Sequence, residues 1–136
     1  MHPYEQPNIG LPKKPFETRE RTFLFACDVT RAALKLHARG PIAGSLSVQL
    51  VSAAVSAASN LEESDDASSD RDFRAKQRIS LRELKEARLR LRLLRATGLL
   101  PPADEALIQE SIELVKIVAT IIRNNALNET PRSRAL

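Results

Sequence analysis

Glu83 and Glu86 stand three residues apart in a stretch otherwise crowded with Lys and Arg, close enough on a helix to work as an acid/base pair or to supply half of a metal site. A di-iron bundle needs Glu-x-x-His on two helices, and neither His2 nor His37 follows a Glu at that spacing. Pairing with Lys76, Arg82, Lys85 or Arg90 at helical spacing is the chemistry their surroundings favour. Asp65, Asp66 and Asp70 invite a calcium reading, but the run lacks the central Gly and terminal Glu of an EF-hand, and helix capping accounts for them. Cys27, the one cysteine, falls on an apolar row and reads as a small core filler, while His37 suits a surface cap near a helix C-terminus. There is no glycine-rich phosphate loop, no Cys/His zinc spacing and no Gly-x-Ser-x-Gly elbow. Neither enzymatic activity nor a cofactor is expected.

The remaining chemistry is positive charge. Between Arg71 and Arg95 ten Lys and Arg stand against three acids. At about 100° per residue, Arg71, Arg74, Arg78, Arg82, Lys85 and Arg92 gather beside an apolar seam of Phe73, Ser80, Leu84, Ala87, Leu91 and Leu94. Such a stripe can contact phosphates, or it can be a solvated face whose arginines pair with acids on neighbouring helices or subunits. The residues alone favour the second reading and leave the first open. The net charge of +4 permits an acidic partner without requiring one. Recognition of single strands by stacking is disfavoured, because the chain has no Trp and one Tyr.

The elements that must position these groups are helices. With 136 residues, 43% hydrophobic content, 4% aromatic and four Gly, the chain has the profile of one domain of packed helices. Residues 1–15 hold four of the eight prolines and read as a disordered arm; residues 16–127 form the domain, and residues 128–136 are a polar, disordered tail. The first helix is expected over about 18–39, with one stripe of Phe23, Cys27, Thr30 and Leu34 and another of Phe25, Val29, Ala32 and Leu36. Gly40-Pro41 ends it. The second, about 45–63, is rich in Ala and Ser and carries two apolar rows, one through Leu46, Leu50, Ala54, Ala57 and Leu61, the other through Val48, Val51, Val55 and Ala58; it should be the most buried. The third spans 70–97, capped by Ser69 or Asp70 and closed by Gly98, and the fourth about 102–126.

Gln49 and Asn60 lie within the apolar second helix, where unsatisfied amides would be costly. A polar clasp across the second and third helices, with Lys76, Glu83 and Glu86 as partners, is expected to satisfy them and to fix register. The N-terminus lacks the apolar core of a signal peptide, and the most apolar run, Leu114 to Ile122, is shorter than the ~20 residues of a membrane span. A cytoplasmic protein without membrane contact is expected.

The second and third helices resemble the small bacterial four-helix-bundle proteins encoded by intervening sequences within 23S ribosomal RNA genes. A stretch of the form QLxRSAxSxxANxxEA matches QLVSAAVSAASNLEES through Gln49, Leu50, Ala53, Ser56, Asn60 and Glu63. A following form, SRxDFxxKLxIxxKEAxETxYWLxLL, matches SDRDFRAKQRISLRELKEARLRLRLL through Asp72, Phe73, Lys76, Ile79, Glu83, Glu86, Leu91 and Leu94. Gln77 stands where leucine is usual, and Leu89-Arg90 replaces an aromatic pair. The resemblance implies an antiparallel up-down-up-down four-helix bundle that assembles into a homo-oligomeric ring, typically a pentamer, without enzymatic activity. For a related branch, the accessory proteins of diversity-generating retroelements, it implies a basic ring that engages nucleic acid and the reverse transcriptase. The expected function is therefore a non-enzymatic accessory protein that binds nucleic acid through Arg71, Arg74, Arg78, Arg82, Lys85 and Arg92, with a reverse transcriptase or another neighbouring gene product as partner. The alternative is a protein-interaction scaffold that binds no nucleic acid. Excess apolar surface, chiefly on the first and fourth helices, is expected to drive self-association.

Overall fold

The computed structural model describes residues 15–128. Four helices, α1 (Pro15–His37), α2 (Pro41–Ser64), α3 (Asp70–Ala96) and α4 (Ala106–Leu127), form a bundle, with a 3-10 turn at Pro102–Asp104 before α4 and no strand among the described residues. The expected arm at 1–14 and the tail from 129 onward lie outside the described residues.

Local chemistry sets each boundary. Gly40 adopts a φ of 113°, a conformation that L side chains resist, so the chain reverses there and α2 begins at once on Pro41. That start is four residues earlier than the expected one at Ser45. Proline at the first helical position sacrifices no hydrogen bond, and the Gly44 amide closes the first turn onto Gly40 O at 2.8 Å. Gly44 also lets α2 approach α1, since a Cβ there would stand 3.1 Å from His37 Nδ1.

Ser69 is extended, and its hydroxyl accepts from the Asp72 amide at 3.0 Å, while Asp72 Oδ2 accepts from the Ser68 amide at 3.2 Å. This reciprocal cap starts α3. Gly98, at φ 76°, ends it, with the Leu99 amide donating back to Leu94 O at 2.8 Å. The expected fourth helix over 102–126 proves to be a 3-10 turn followed by α4. Pro101 and Pro102 have no amide protons, and the Asp104 amide bonds to Pro101 O at 2.9 Å before α-helical bonding is established.

The core takes one row from each helix. Phe25, Val29, Ala32 and Leu36 of α1, Leu50, Ala54, Ala57 and Leu61 of α2, Leu84, Ala87, Leu91 and Leu94 of α3, and Leu107, Leu114 and Val118 of α4 pack together. Each fully buried leucine contributes roughly 2 kcal/mol of transfer free energy. α2 packs against both α1 and α3, α3 also against α4, and α1 against α4 less extensively. Ten of the 24 residues of α2 are buried, against seven of 27 in α3. By length and composition alone α2, not the run Leu114–Ile122, is apolar enough to cross a membrane, and its place between α1 and α3 accounts for that composition.

The second rows behave differently from expectation. Phe23, Leu34, Ile42, Val48 and Val55 on α1 and α2, and Leu89 and Leu93 on α3, remain exposed. On α4, Ile108 and Val115 are buried and Ile112 and Ile122 half-buried, and only the terminal Leu127 is an exposed large apolar residue, so most of the uncovered apolar surface lies on α1, α2 and α3. Cys27 sits half-buried on the outer stripe of α1, not in the core.

Candidate nucleic-acid interface

α3 presents its cations along two flanks. Arg71, Arg78, Lys85 and Arg92 recur every seven residues, about two turns, and form one exposed row. No carboxylate pairs with Arg78, Lys85 or Arg92 among the described residues. Arg82 is exposed, and its ion-pair partner among the described residues is the adjacent Glu83, at 3.9 Å. Arg74 departs from the expected stripe. It is 8% exposed, and Nη1 donates to Asn125 Oδ1 at 2.9 Å, so it ties α3 to α4 instead of facing outward. Five of the six expected phosphate ligands are therefore surface groups and one is a packing group.

The basic surface extends from α3 onto α4. α4 exposes Lys116, Thr120 and Arg123 at successive one-turn spacings on its outer face. Their four- and three-residue separations, between apolar positions that face inward, were the available signal.

The expected polar clasp is not formed as drawn. Asn60 Nδ2 donates within its own helix, to Ser56 O at 2.9 Å. Gln49 Oε1 accepts from Arg90 Nε at 3.3 Å, and Lys76 pairs with Glu63 at 3.4 Å. Glu86 pairs with Arg90 at 2.6 Å, and Glu83 meets Arg82. Both amides lie at the rim of the α2–α3 contact, where intrahelical and exposed partners suffice. The buried polar link between the two helices is different: Ser80 Oγ donates to Ala57 O at 2.9 Å, and Gln77 Nε2 donates to Ser64 Oγ at 2.9 Å. These partners pair in descending order along α2 as they ascend along α3. Small Ala and Ser side chains on α2 permit that approach.

Glu83 and Glu86 line a shallow groove of about 420 Å³ between α2 and α3, with Gln49, Ser52, Arg82 and Arg90. Each carboxylate has an arginine neighbour, which is the environment of ion pairs and not of an isolated acid/base couple. Among the described residues no three His, Cys, Asp or Glu side chains gather as a metal site would require. Asp65 of the acidic loop is engaged by Arg19 of α1.

Two comparisons place this geometry. A crystal structure of a protein with unknown function from the S23 ribosomal protein family of Bacteroides thetaiotaomicron VPI-5482 superposes with a TM-score of 0.73 over 80% of this chain and 97% of that one, at 24% identity. At that identity the likeness is one of fold. No curated protein matches the chain. The model of the family described as 23S rRNA-intervening sequence protein matches residues 16–120, which takes in all of α2 and α3 and most of α1 and α4. With four packed helices and a family match across most of its length, the chain belongs to the 23S rRNA-intervening sequence protein family.

Proposed function

We propose that this protein is a non-enzymatic, oligomeric accessory protein that binds nucleic acid through the outer face of α3, extended onto α4. The observation that carries the reading is the row of Arg78, Lys85 and Arg92, exposed and without carboxylate partners among the described residues, together with exposed Lys116 and Arg123 on α4, the helix that packs against α3. Such a row attracts phosphate in any sequence context, because cations fix position on a backbone and base edges carry the sequence information. Arg71 and Arg82 flank it.

In this reading the helices form an antiparallel up-down-up-down bundle that assembles into a homo-oligomeric ring, a pentamer by family resemblance. It works in the cytoplasm, without cofactor or membrane, alongside a reverse transcriptase or another neighbouring gene product. Binding of duplex DNA to the full chain, measured at several salt concentrations, tests the proposal. Each phosphate contact contributes about −0.9 to the slope of log K against log salt. Absent or salt-independent binding would overturn it.

A second reading has its own support. Leu89 and Leu93 stand exposed on α3 one turn apart, 56% and 44% accessible, where a purely phosphate-binding face has no use for leucine. They favour a protein-interaction scaffold, which co-purification with the genomic neighbour would detect in the absence of nucleic acid.

A further inference from the structure

The exposed ridge of α3 is built of two columns that differ in kind. Arg71, Arg78, Lys85 and Arg92 repeat every seven residues and are basic throughout. Ala75, Arg82, Leu89 and Ala96 repeat at the same interval, and hold one cation among small and apolar side chains. All eight are exposed, and along the helix the two columns alternate at separations of four and three residues. That alternation averages 3.5 residues, the repeat along which a second helix can stay in register beside the first. From the first turn of α3 to its last the seam spans about 38 Å, at 1.5 Å per residue.

A polyanion accounts for the basic column alone. Leu89 is 56% exposed in the second column and Leu93, one turn on, is 44% exposed, while Ala75 and Ala96 leave room for another backbone to come close. Arg78, Lys85 and Arg92 have no carboxylate partner among the described residues. A cationic column beside an apolar one is complementary to a helix that carries carboxylates in one column and leucine in the other.

This chain does not itself offer such a helix. On α1 the exposed Glu17 and Glu20 give way to Arg31 and Lys35, α2 has no charged residue from Pro41 to Leu61, and on α4 the exposed Glu105 is followed by Lys116 and Arg123. Residues 1–14 and 129–136 hold one acid each, Glu5 and Glu129. The complementary helix therefore belongs to a different protein.

We infer that the outer seam of α3 docks an acidic, leucine-bearing helix of a partner protein, laid alongside it. Leu89 and Leu93 pack between the leucines of that helix, and its carboxylates, seven residues apart, meet Arg78, Lys85 and Arg92. Those cations are the ones assigned to phosphate above, so the inference rests on their being accessible as in that reading, and the partner helix and nucleic acid exclude one another.

The test uses the full chain and a synthetic helical peptide of three heptads with glutamate in one column and leucine in the other, beside a scrambled peptide of the same composition. Fluorescence anisotropy is expected to show the patterned peptide bound about tenfold more tightly than the scrambled one, and an excess of it is expected to release duplex DNA from the chain. Leu89→Lys adds a cation while it removes the apolar contact. Because the site is exposed, helicity by circular dichroism is expected to be unchanged; patterned-peptide affinity is expected to fall about tenfold, and duplex affinity not to fall. Equal affinity for the two peptides would overturn the inference, and this comparison needs no variant. Tighter peptide binding by L89K would overturn it too, since such a surface reads charge alone, as would peptide and duplex bound to the chain together. A chain that takes the patterned peptide but no duplex would defeat the nucleic-acid reading and leave the docked helix standing. One that binds duplex and does not distinguish the peptides would defeat this inference alone.

Discussion

Arg21 of α1 holds Glu110 of α4 by two parallel hydrogen bonds, 2.8 Å from Nε and 2.6 Å from Nη2, with the carboxylate side chain only 6% exposed. α1 and α4 are the least extensively packed neighbours in the bundle, so this fork-on-fork pair closes it. Burying the carboxylate is tolerable because both oxygens are satisfied.

Removing one partner should therefore harm more than removing both. Arg21→Met is expected to lower stability by about 3 kcal/mol in urea unfolding, because it leaves the Glu110 carboxylate, 6% exposed, without its guanidinium. The double variant Arg21→Met, Glu110→Met should recover most of that loss. Equal damage from the single and double variants would mean that packing, not charge, matters at this contact.

Gln77 sits 1% exposed in the core; its Nε2 reaches Ser64, and its Oε1 has no partner among the described residues. Ser64 Oγ donates to Leu61 O at 2.7 Å and keeps that bond without Gln77. Gln77→Leu should thus stabilise the fold by about 1 kcal/mol, since an unsatisfied buried acceptor is removed. Ser80→Ala should do the opposite by a similar amount, about 1 kcal/mol, because it leaves the buried Ala57 carbonyl without the Ser80 donor. Thermal midpoints of the two variants, moving in opposite directions, check both statements.

Arg74 and Arg92 carry the same charge on the same helix, yet should behave differently. Arg74→Ala breaks the bond to Asn125 and should lower stability by about 2 kcal/mol while leaving the salt slope of DNA binding unchanged. Arg92→Ala should leave the unfolding midpoint within error and reduce that slope by about 0.9. The pair of measurements separates arginines that hold the bundle from those that serve a ligand.

Much of this was legible in the sequence, for identifiable reasons. The rows through Phe25 and Leu36, Leu50 and Leu61, and Leu84 and Leu94 each repeat at helical spacing, and each became core. Ser69 and Gly98 carry their cap chemistry in their residue types. The earlier start of α2 was also readable, because Pro41 directly after Gly40 satisfies the preference for proline at a first helical position.

Other features depend on neighbours that the chain supplies from far away. Whether Val48 or Val115 is covered turns on which helix lies opposite, and an apolar row cannot say. Arg74 looked like its neighbours in the stripe until Asn125, 51 residues on, arrived beside it. Asn60 and Gln49 call for partners across the helix pair; Gln49 finds one in Arg90 at the rim of α3, whereas Asn60 bonds to Ser56 within its own helix. The buried link fell instead to Gln77 and Ser80, which meet Ser64 and the Ala57 carbonyl of α2.

The central claim is that the exposed row of α3 meets phosphate. Its most direct test compares duplex DNA binding by the wild-type chain and by the triple variant Arg78→Ala, Lys85→Ala, Arg92→Ala across a salt series. The account predicts steeply salt-dependent binding by the wild type and a slope shallower by about 2.7 in the variant, at 0.9 per contact, with the unfolding midpoint unchanged. Identical slopes for the two proteins, or no binding by the wild type at low salt, would contradict it.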